Sequence, residues 1–321
     1  MLHFSMIFMI WSRIRKIIPF VGIAIFVYLL VKLNIFEILK QIKNVNLFYI
    51  FLAVAFTFVY FLFQTTKWYI IARKQGMRVP FKDALRINLI TDFYGFITPV
   101  RLGSAMRADY LKNYGSLGKG FSNFVIDKVL DLSSVFILAI LLGFIFRERI
   151  GITSSNMLYI LITIFLAMVL VFLVFYKKEF SRFFLRIIYR KFVPKKTKDK
   201  AKTTFDSFYE GIPSLKFLFF VLIVNLSAWV VNYSIAYFVG LSLGINVGFI
   251  YYLAIFPIAT LIAQIPITIS GLGTREFTLI GLFGLFGVEA VKVFSMALIG
   301  LFITSIIPAL FAVFFILRER K

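Results

Sequence analysis

Residues 270–276 read Ser270-Gly271-Leu272-Gly273-Thr274-Arg275-Glu276, set between an apolar run over 249–269 and another over 277–287. In hydrocarbon every exposed backbone polar group needs a partner inside the protein, so a glycine-bearing break at that depth belongs where it lines a cavity. Adjacent ionisable residues there mark a functional site. The glycines, with Thr274 as candidate N-cap, describe a helix start whose free N–H groups suit an anion. On that helix Arg275 and Glu276 diverge by about 100°. Each therefore needs its own partner: an anion for Arg275, and a basic residue or backbone donor for Glu276. Asp131 and Lys128 are the candidates within the protein.

The surrounding chain is that of a membrane protein. Of its 321 residues 61% are hydrophobic and 42 are Phe, its mean hydropathy is +0.95, and apolar runs of about twenty residues recur. The expectation is an all-α, polytopic helical bundle forming a single domain over 1–321, with about eight transmembrane helices. The spans fall near 17–33, 47–66, 121–145, 157–176, 215–239, 249–268, 275–288 and 293–317. The first is read as uncleaved, because no small-x-small site follows its apolar run. No polar stretch is long enough for a separate soluble catalytic domain.

The net charge of +22 sits in the loops, as the positive-inside rule requires, rather than in a nucleic-acid footprint. Segment 67–119 holds ten Lys or Arg against three acids, and 177–214 holds eleven against four. Both are assigned to the cytoplasmic face of the cell membrane. Within 177–190, Phe180, Phe183, Phe184, Ile187 and Ile188 recur at helical spacing between Arg182, Arg186 and Arg190, which describes an amphipathic helix on the inner leaflet. A solvated basic linker is the plainer reading for 192–205. Both termini are expected in the cytoplasm, which requires 275–288 to cross; the tail Arg318, Arg320, Lys321 agrees. Cysteine is absent and His3 is the only histidine. Disulfides, thiolate nucleophiles, His-based triads and His-rich metal sites are thereby excluded, and no cofactor or metal is expected.

A second broken segment, 87–100 (INLITDFYGFITPV), is too short and interrupted to span, and reads as re-entrant. No fixed-period repeat appears, yet the two broken segments, 87–100 and 270–288, follow comparable pairs of spans. Such interrupted segments at matching places in two halves point to a transporter's binding site.

Two further groups could carry chemistry. In Thr98-Pro99-Val100-Arg101-Leu102-Gly103-Ser104-Ala105-Met106-Arg107, Ser104 can cap a helix over 105–113, and Arg101 and Arg107 offer guanidinium forks for phosphate or carboxylate. The plain alternative is two arginines obeying the charge rule. In Asp127-Lys128-Val129-Leu130-Asp131 the two carboxylates are four apart and share a helix face. They would orient Arg101, Arg107 or Arg275, exchange protons, or simply form a structural ion pair. Asn88 and Asp92, also four apart, join the same candidate headgroup site. Gly271, Gly273, Thr274, Arg275 and Glu276 complete it. Trp68, Tyr69, Trp229 and Tyr233 are assigned to packing and interfaces.

These blocks resemble the flippase-like integral membrane domain of lysylphosphatidylglycerol synthases and its stand-alone relatives. Residues 99–107 are similar to the family's Pro-Gly-Arg-x-Gly-Glu-x-x-Arg block, 127–131 to its Glu-Arg-x-x-Asp block, and 270–276 to its Gly-Gly-Leu-Gly-x-Arg-Glu block. Val100 stands where the family has glycine, and Ser104 where it has an acid. The resemblance, covering roughly 20–317, implies movement of anionic or aminoacylated phospholipids, or of polyprenyl-linked lipids, between leaflets. It implies no enzymatic activity in this chain, since the family's synthase domain is separate. Membrane lipids are the expected partners, nucleic acid is not, and a homo-oligomer is left open. The rival readings are an intramembrane transferase using Asp127 or Asp131 as base, and a scaffold that binds anionic lipid through 177–202. The sequence holds no P-loop to drive transport with ATP.

Overall fold

The computed structural model describes residues 23–145, 155–176, 179, 198–265, 268 and 271–319. Apart from Glu179 the expected amphipathic helix over 177–190, the 192–197 part of the linker expected over 192–205, Ser270 and the Arg320–Lys321 tail lie outside the described residues, as does most of the first half of the span 17–33; the rest of that expected linker, 198–205, is helical, part of Lys198–Tyr209.

The protein is an all-α membrane bundle. Its helices are α1 (Ile23–Lys32), α2 (Ile35–Lys43), α3 (Leu47–Lys74), α4 (Phe81–Phe96), α5 (Arg107–Leu111), α6 (Leu117–Ile145) and α7 (Ser155–Tyr176), then α8 (Lys198–Tyr209), α9 (Leu215–Ser242), α10 (Phe249–Gln264), α11 (Thr274–Gly284), α12 (Ala290–Leu301) and α13 (Ile307–Glu319). A 3-10 segment, Pro99–Met106, precedes α5, and a π turn, Phe302–Ile306, joins α12 to α13. Among the described residues three helices are long and apolar enough to cross a membrane: α3, α9 and the continuous Ala290–Arg318. Helix α6 has 29 residues but carries Asp127, Lys128 and Asp131 inward. Helix α11 has 11 residues, a rise of about 16 Å, roughly half the hydrocarbon thickness.

The helix expected over 47–66 runs on to Lys74. Lys67 ends the apolar run in the sequence but not the helix, because its charge is neutralised inside the bundle.

Helices α3 and α9 form the central antiparallel pair. The Asn46 N–H donates to the Ser242 carbonyl at one end (2.9 Å), and the Phe56 and Phe238 rings meet at 4.9 Å. At the other end Lys74 lies over the Phe217 ring at 5.8 Å. Both helices have 28 residues and both are followed, six residues later, by a helix of 16. Every boundary recurs 168 residues on: Leu47 and Leu215 start, Lys74 and Ser242 end, Phe81 and Phe249 start, Phe96 and Gln264 end. The same register superposes Gly103 on Gly271 and Arg107 on Arg275. Segments 47–107 and 215–275 thus repeat one arrangement of helices, with α3 and α9 antiparallel, as in the inverted repeats of many secondary transporters. The match expected between 87–100 and 270–288 is displaced: 81–96 corresponds to 249–264, and 97–107 to 265–275. Residue identities hide this register because few survive, while helix lengths preserve it.

In each repeat the chain breaks after the 16-residue helix. The first break folds Pro99–Met106 back against α4. The Thr98 hydroxyl accepts from the Gly103 N–H (2.7 Å) and donates to the Tyr94 carbonyl (2.8 Å). A Cβ on Gly103 would overlap the Tyr94 carbonyl. Gly103→Ala is therefore expected to cost about 2 kcal/mol or more through overpacking, read as a lower melting temperature and reduced yield of monodisperse protein in detergent.

The second break uses Gly271 (φ +77°) and Gly273 (φ +85°), conformations open to glycine without steric penalty. Gly271 also lies so close to Ala263 that a Cβ would overlap it. Apolar packing is densest around α9–α12, with Tyr252, Phe256 and Phe283 at its centre.

Candidate functional site

Helix α6 is fastened to α3 by polar contacts that an apolar bundle otherwise lacks. The Asn123 amide donates to the Trp68 carbonyl (3.0 Å) and to Gln75 Oε1 (3.2 Å), while Gln75 donates to Ser122 (3.2 Å). On the far side Asn225 of α9 donates to Ser134 (2.9 Å). Such interhelical hydrogen bonds fix rotation and register in lipid. They turn the α6 face carrying Asp127 and Asp131 toward the centre.

There Lys67, fully buried, lies between the two carboxylates, 3.0 Å from Asp127 Oδ1 and 2.6 Å from Asp131 Oδ1. Arg107 reaches Asp127 Oδ2 at 2.7 Å and its guanidinium sits over the Trp68 ring at 4.9 Å. Lys128 is 3.7 Å from the second Asp131 oxygen. Trp68 donates its indole N–H to Asn88 (3.1 Å), so Asn88 orients the ring that carries Arg107. Burying charges this way is tolerable only when each finds its counterpart.

Two cavities open beside this network. One, of about 320 Å³, is lined by Asn88, Asp92, Arg101, Arg107, Asp127, Lys128 and Asp131, together with Gln64 and Ser104. The other, of about 110 Å³, is lined by Asp92, Arg101 and Arg275, with Asn232, Tyr233, Gln264, Thr304 and Ser305. They adjoin, since Tyr60, Asp92, Arg101, Trp229, Thr260 and Gln264 belong to both. All three sequence blocks therefore converge on one polar space.

Arg101 spans the junction. Its φ of 55° is rare for a side-chain-bearing residue and costs of order 1–3 kcal/mol, strain that clusters at functional sites. Its guanidinium lies 3.6 Å from Asp92. The Ser104 hydroxyl donates to the Arg101 carbonyl (2.7 Å) and so braces this turn. Ser104 does not cap a helix over 105–113: the 3-10 segment continues to Met106, and α5 begins at Arg107 without a side-chain cap.

Arg275 differs from the other cations. No ion pair to it occurs among the described residues, and its guanidinium stands 5.7 Å from the Phe256 ring; its Nε, like that of Arg107, is buried without an acceptor. Its neighbour Glu276 turns the other way and accepts from the Gly273 N–H (2.6 Å), the backbone-donor solution among the alternatives. Gly273, not Thr274, occupies the cap position. Thr274 is the first helical residue and donates to the Gly271 carbonyl (3.1 Å). Gly271, Gly273, Thr274 and Glu276 line neither cavity; they build the turn that presents Arg275. Asp131 pairs with Lys67 and with Lys128, not with Arg275, and Lys128 pairs with Asp131 rather than with Glu276, because Lys67 stands between the two carboxylates.

Lys67 carries no sequence signal of this role, because it ends an apolar run and counts as loop charge. Tyr60, Gln64, Asn232, Gln264 and Thr304 were missed because isolated polar residues in apolar helices carry no motif. Only Gln64 and Lys67, three apart, hint at a polar stripe. Trp68 and Tyr69 pack as expected; Trp229 and Tyr233 pack in the core too, but they also line the smaller cavity, where Trp229 leaves a buried indole N–H without an acceptor.

Residues 17–312 match the family described as "Lysylphosphatidylglycerol synthase TM region". A UPF0104 membrane protein of Pyrococcus horikoshii is similar over 96% of this chain and 98% of its own length, at 24% identity.

Proposed function

Because the chain belongs to the lysylphosphatidylglycerol synthase TM-region family, and so to a group with a membrane-lipid role, we propose that it translocates a lipid with an anionic headgroup between leaflets. The substrate class is an anionic or aminoacylated phospholipid, or a polyprenyl-linked phosphate. The observation that carries this reading is Arg275, a cation facing a polar cavity with no carboxylate partner among the described residues. Beside it Trp229 offers a second donor, and buried donors left unsatisfied call for an acceptor.

The repeat explains why Arg275 is the one left over. Its counterpart Arg107 is neutralised by Asp127, and 168 residues beyond Asp127 stands Ser295. The headgroup phosphate would be held between Arg275 and Arg101 while the acyl chains remain in lipid. Opposite rocking of the two repeats would then expose this space to one leaflet and the other. Both carboxylates that a transferase would use as a base are held in ion pairs, which favours transport over chemistry.

The test is reconstitution into liposomes carrying headgroup-labelled phosphatidylglycerol. The expected result is label crossing to the outer leaflet well above protein-free vesicles, with the lipid unchanged by mass spectrometry. Absent redistribution would contradict the proposal, and a covalently altered lipid would replace it with the transferase reading.

A further inference from the structure

A phosphate between Arg275 and Arg101 leaves much of the polar lining around it unused. At the 168-residue register the charged positions of segment 47–107 become neutral in 215–275: Ile235 stands at the place of Lys67 and Thr260 at that of Asp92. The amide at position 64 is kept, as Asn232. Gln64 donates to the Tyr60 hydroxyl (3.0 Å), whereas position 228, the counterpart of Tyr60, is Ala228. Asn232 on α9, Gln264 at the end of α10 and Ser305 of the π turn all line the smaller cavity, and none has a hydrogen-bond partner among the described residues. Three separate elements thus bring two amides and a hydroxyl to the cavity that Arg275 lines. Each of these groups both donates and accepts, which suits an occupant that does the same.

The carboxylates lining the two cavities are meanwhile engaged by protein cations. Asp92 is held by Arg101, Asp127 by Lys67 and Arg107, and Asp131 by Lys67 and Lys128. A headgroup ammonium would find no uncommitted acid among the described residues and would stand beside Arg101 and Arg275, an unfavourable like-charge juxtaposition. Ring faces offer it little more. Phe256 already carries Arg275 at 5.7 Å, and Trp229 is packed against Tyr233 at 5.4 Å. We infer that the headgroup is a phosphodiester extended by a neutral polyhydroxylated group, its phosphate at Arg275 and Arg101 and its hydroxyls at Asn232, Gln264 and Ser305. This rests on the translocation site proposed above and narrows its substrate. Aminoacylated lipids lack a counter-charge here, and a bare phosphate leaves the two amides unused. Glycerol and a sugar supply the same hydroxyl chemistry.

The test is competition in detergent. Phosphatidylglycerol carrying a fluorophore on one acyl chain is bound to the full chain, and its anisotropy follows displacement by dioctanoyl lipids. Phosphatidylglycerol is expected to displace it at about tenfold lower concentration than phosphatidic acid, the yield of one or two added hydrogen bonds. That order is demanding, because phosphatidic acid carries at least as much negative charge. Lysyl-phosphatidylglycerol and phosphatidylcholine should be weaker than phosphatidylglycerol by about tenfold or more. Phosphatidylinositol at or below the concentration needed of phosphatidylglycerol assigns the hydroxyls to a sugar; the reverse order assigns them to glycerol. Asn232→Leu combined with Gln264→Leu should bring phosphatidylglycerol and phosphatidic acid within roughly twofold of each other, with a melting curve to show that the protein is folded. Phosphatidic acid as potent as phosphatidylglycerol, a preference that survives the double substitution, or either amine-bearing lipid displacing at lower concentration would overturn the inference. Arg275→Ala separates the two levels. It should weaken every anionic lipid, and if it weakens none, the phosphate site itself is wrong and the hydroxyl assignment falls with it.

Discussion

Arg275→Ala is expected to reduce lipid redistribution by about 30-fold or more, the usual consequence of removing one partner from a desolvated charged contact. The amount of protein in the membrane should be unchanged, because Glu276, Gly271 and Gly273, not Arg275, hold the turn. Arg275→Lys should fall in between: an ammonium keeps the charge but loses the planar fork that grips two phosphate oxygens. The readout is the rate of headgroup-label movement in proteoliposomes at matched protein density. Movement by the alanine variant at the parental rate would remove Arg275 from the site. A variant that is slow and also poorly folded would assign it to the turn, so a melting curve accompanies the assay.

Lys67→Met should act on stability instead. It removes the 2.6 Å partner of Asp131 and the 3.0 Å partner of Asp127, leaving carboxylate charge buried at a cost of about 3–5 kcal/mol. At roughly 2–4 °C per kcal/mol for a chain of this size, the melting temperature in detergent should drop by about 10 °C. Asp127 keeps Arg107 at 2.7 Å, so adding Asp131→Leu removes the stranded charge and should recover most of the loss. A single variant as stable as the parent, or a double variant no better than the single, would refute the buried triad.

The readings that succeeded from sequence share one property: they rest on physics that acts locally. Hydropathy decided membrane insertion. Gly271 and Gly273 decided a break, because positive φ is a property of the residue itself. The 127–131 spacing put two carboxylates on one face because helical periodicity does not depend on neighbours. Thr274 and Ser104 were misplaced as caps for the opposite reason. A cap position depends on where the preceding turn releases the chain, and that is set by Ala263 and Tyr94 packing against the glycines.

What the sequence determined by itself was an all-α bundle in the membrane, the glycine break at 271–273, and the three blocks of polar residues that could meet a headgroup; the segment 87–100 read as re-entrant is instead continuous helix as far as Phe96 and breaks only after it. What only the tertiary structure decided was the pairing. Lys67 is an ordinary loop lysine by composition, yet it balances the centre of the bundle. Segments 47–107 and 215–275 look unrelated by residue identity, yet their helices match at a spacing of 168 residues. Of the charges around the cavities, Arg275 alone keeps no carboxylate partner among the described residues. Charge neutralisation in hydrocarbon is a relation between helices distant in the chain, and no single stretch of sequence contains both sides of it.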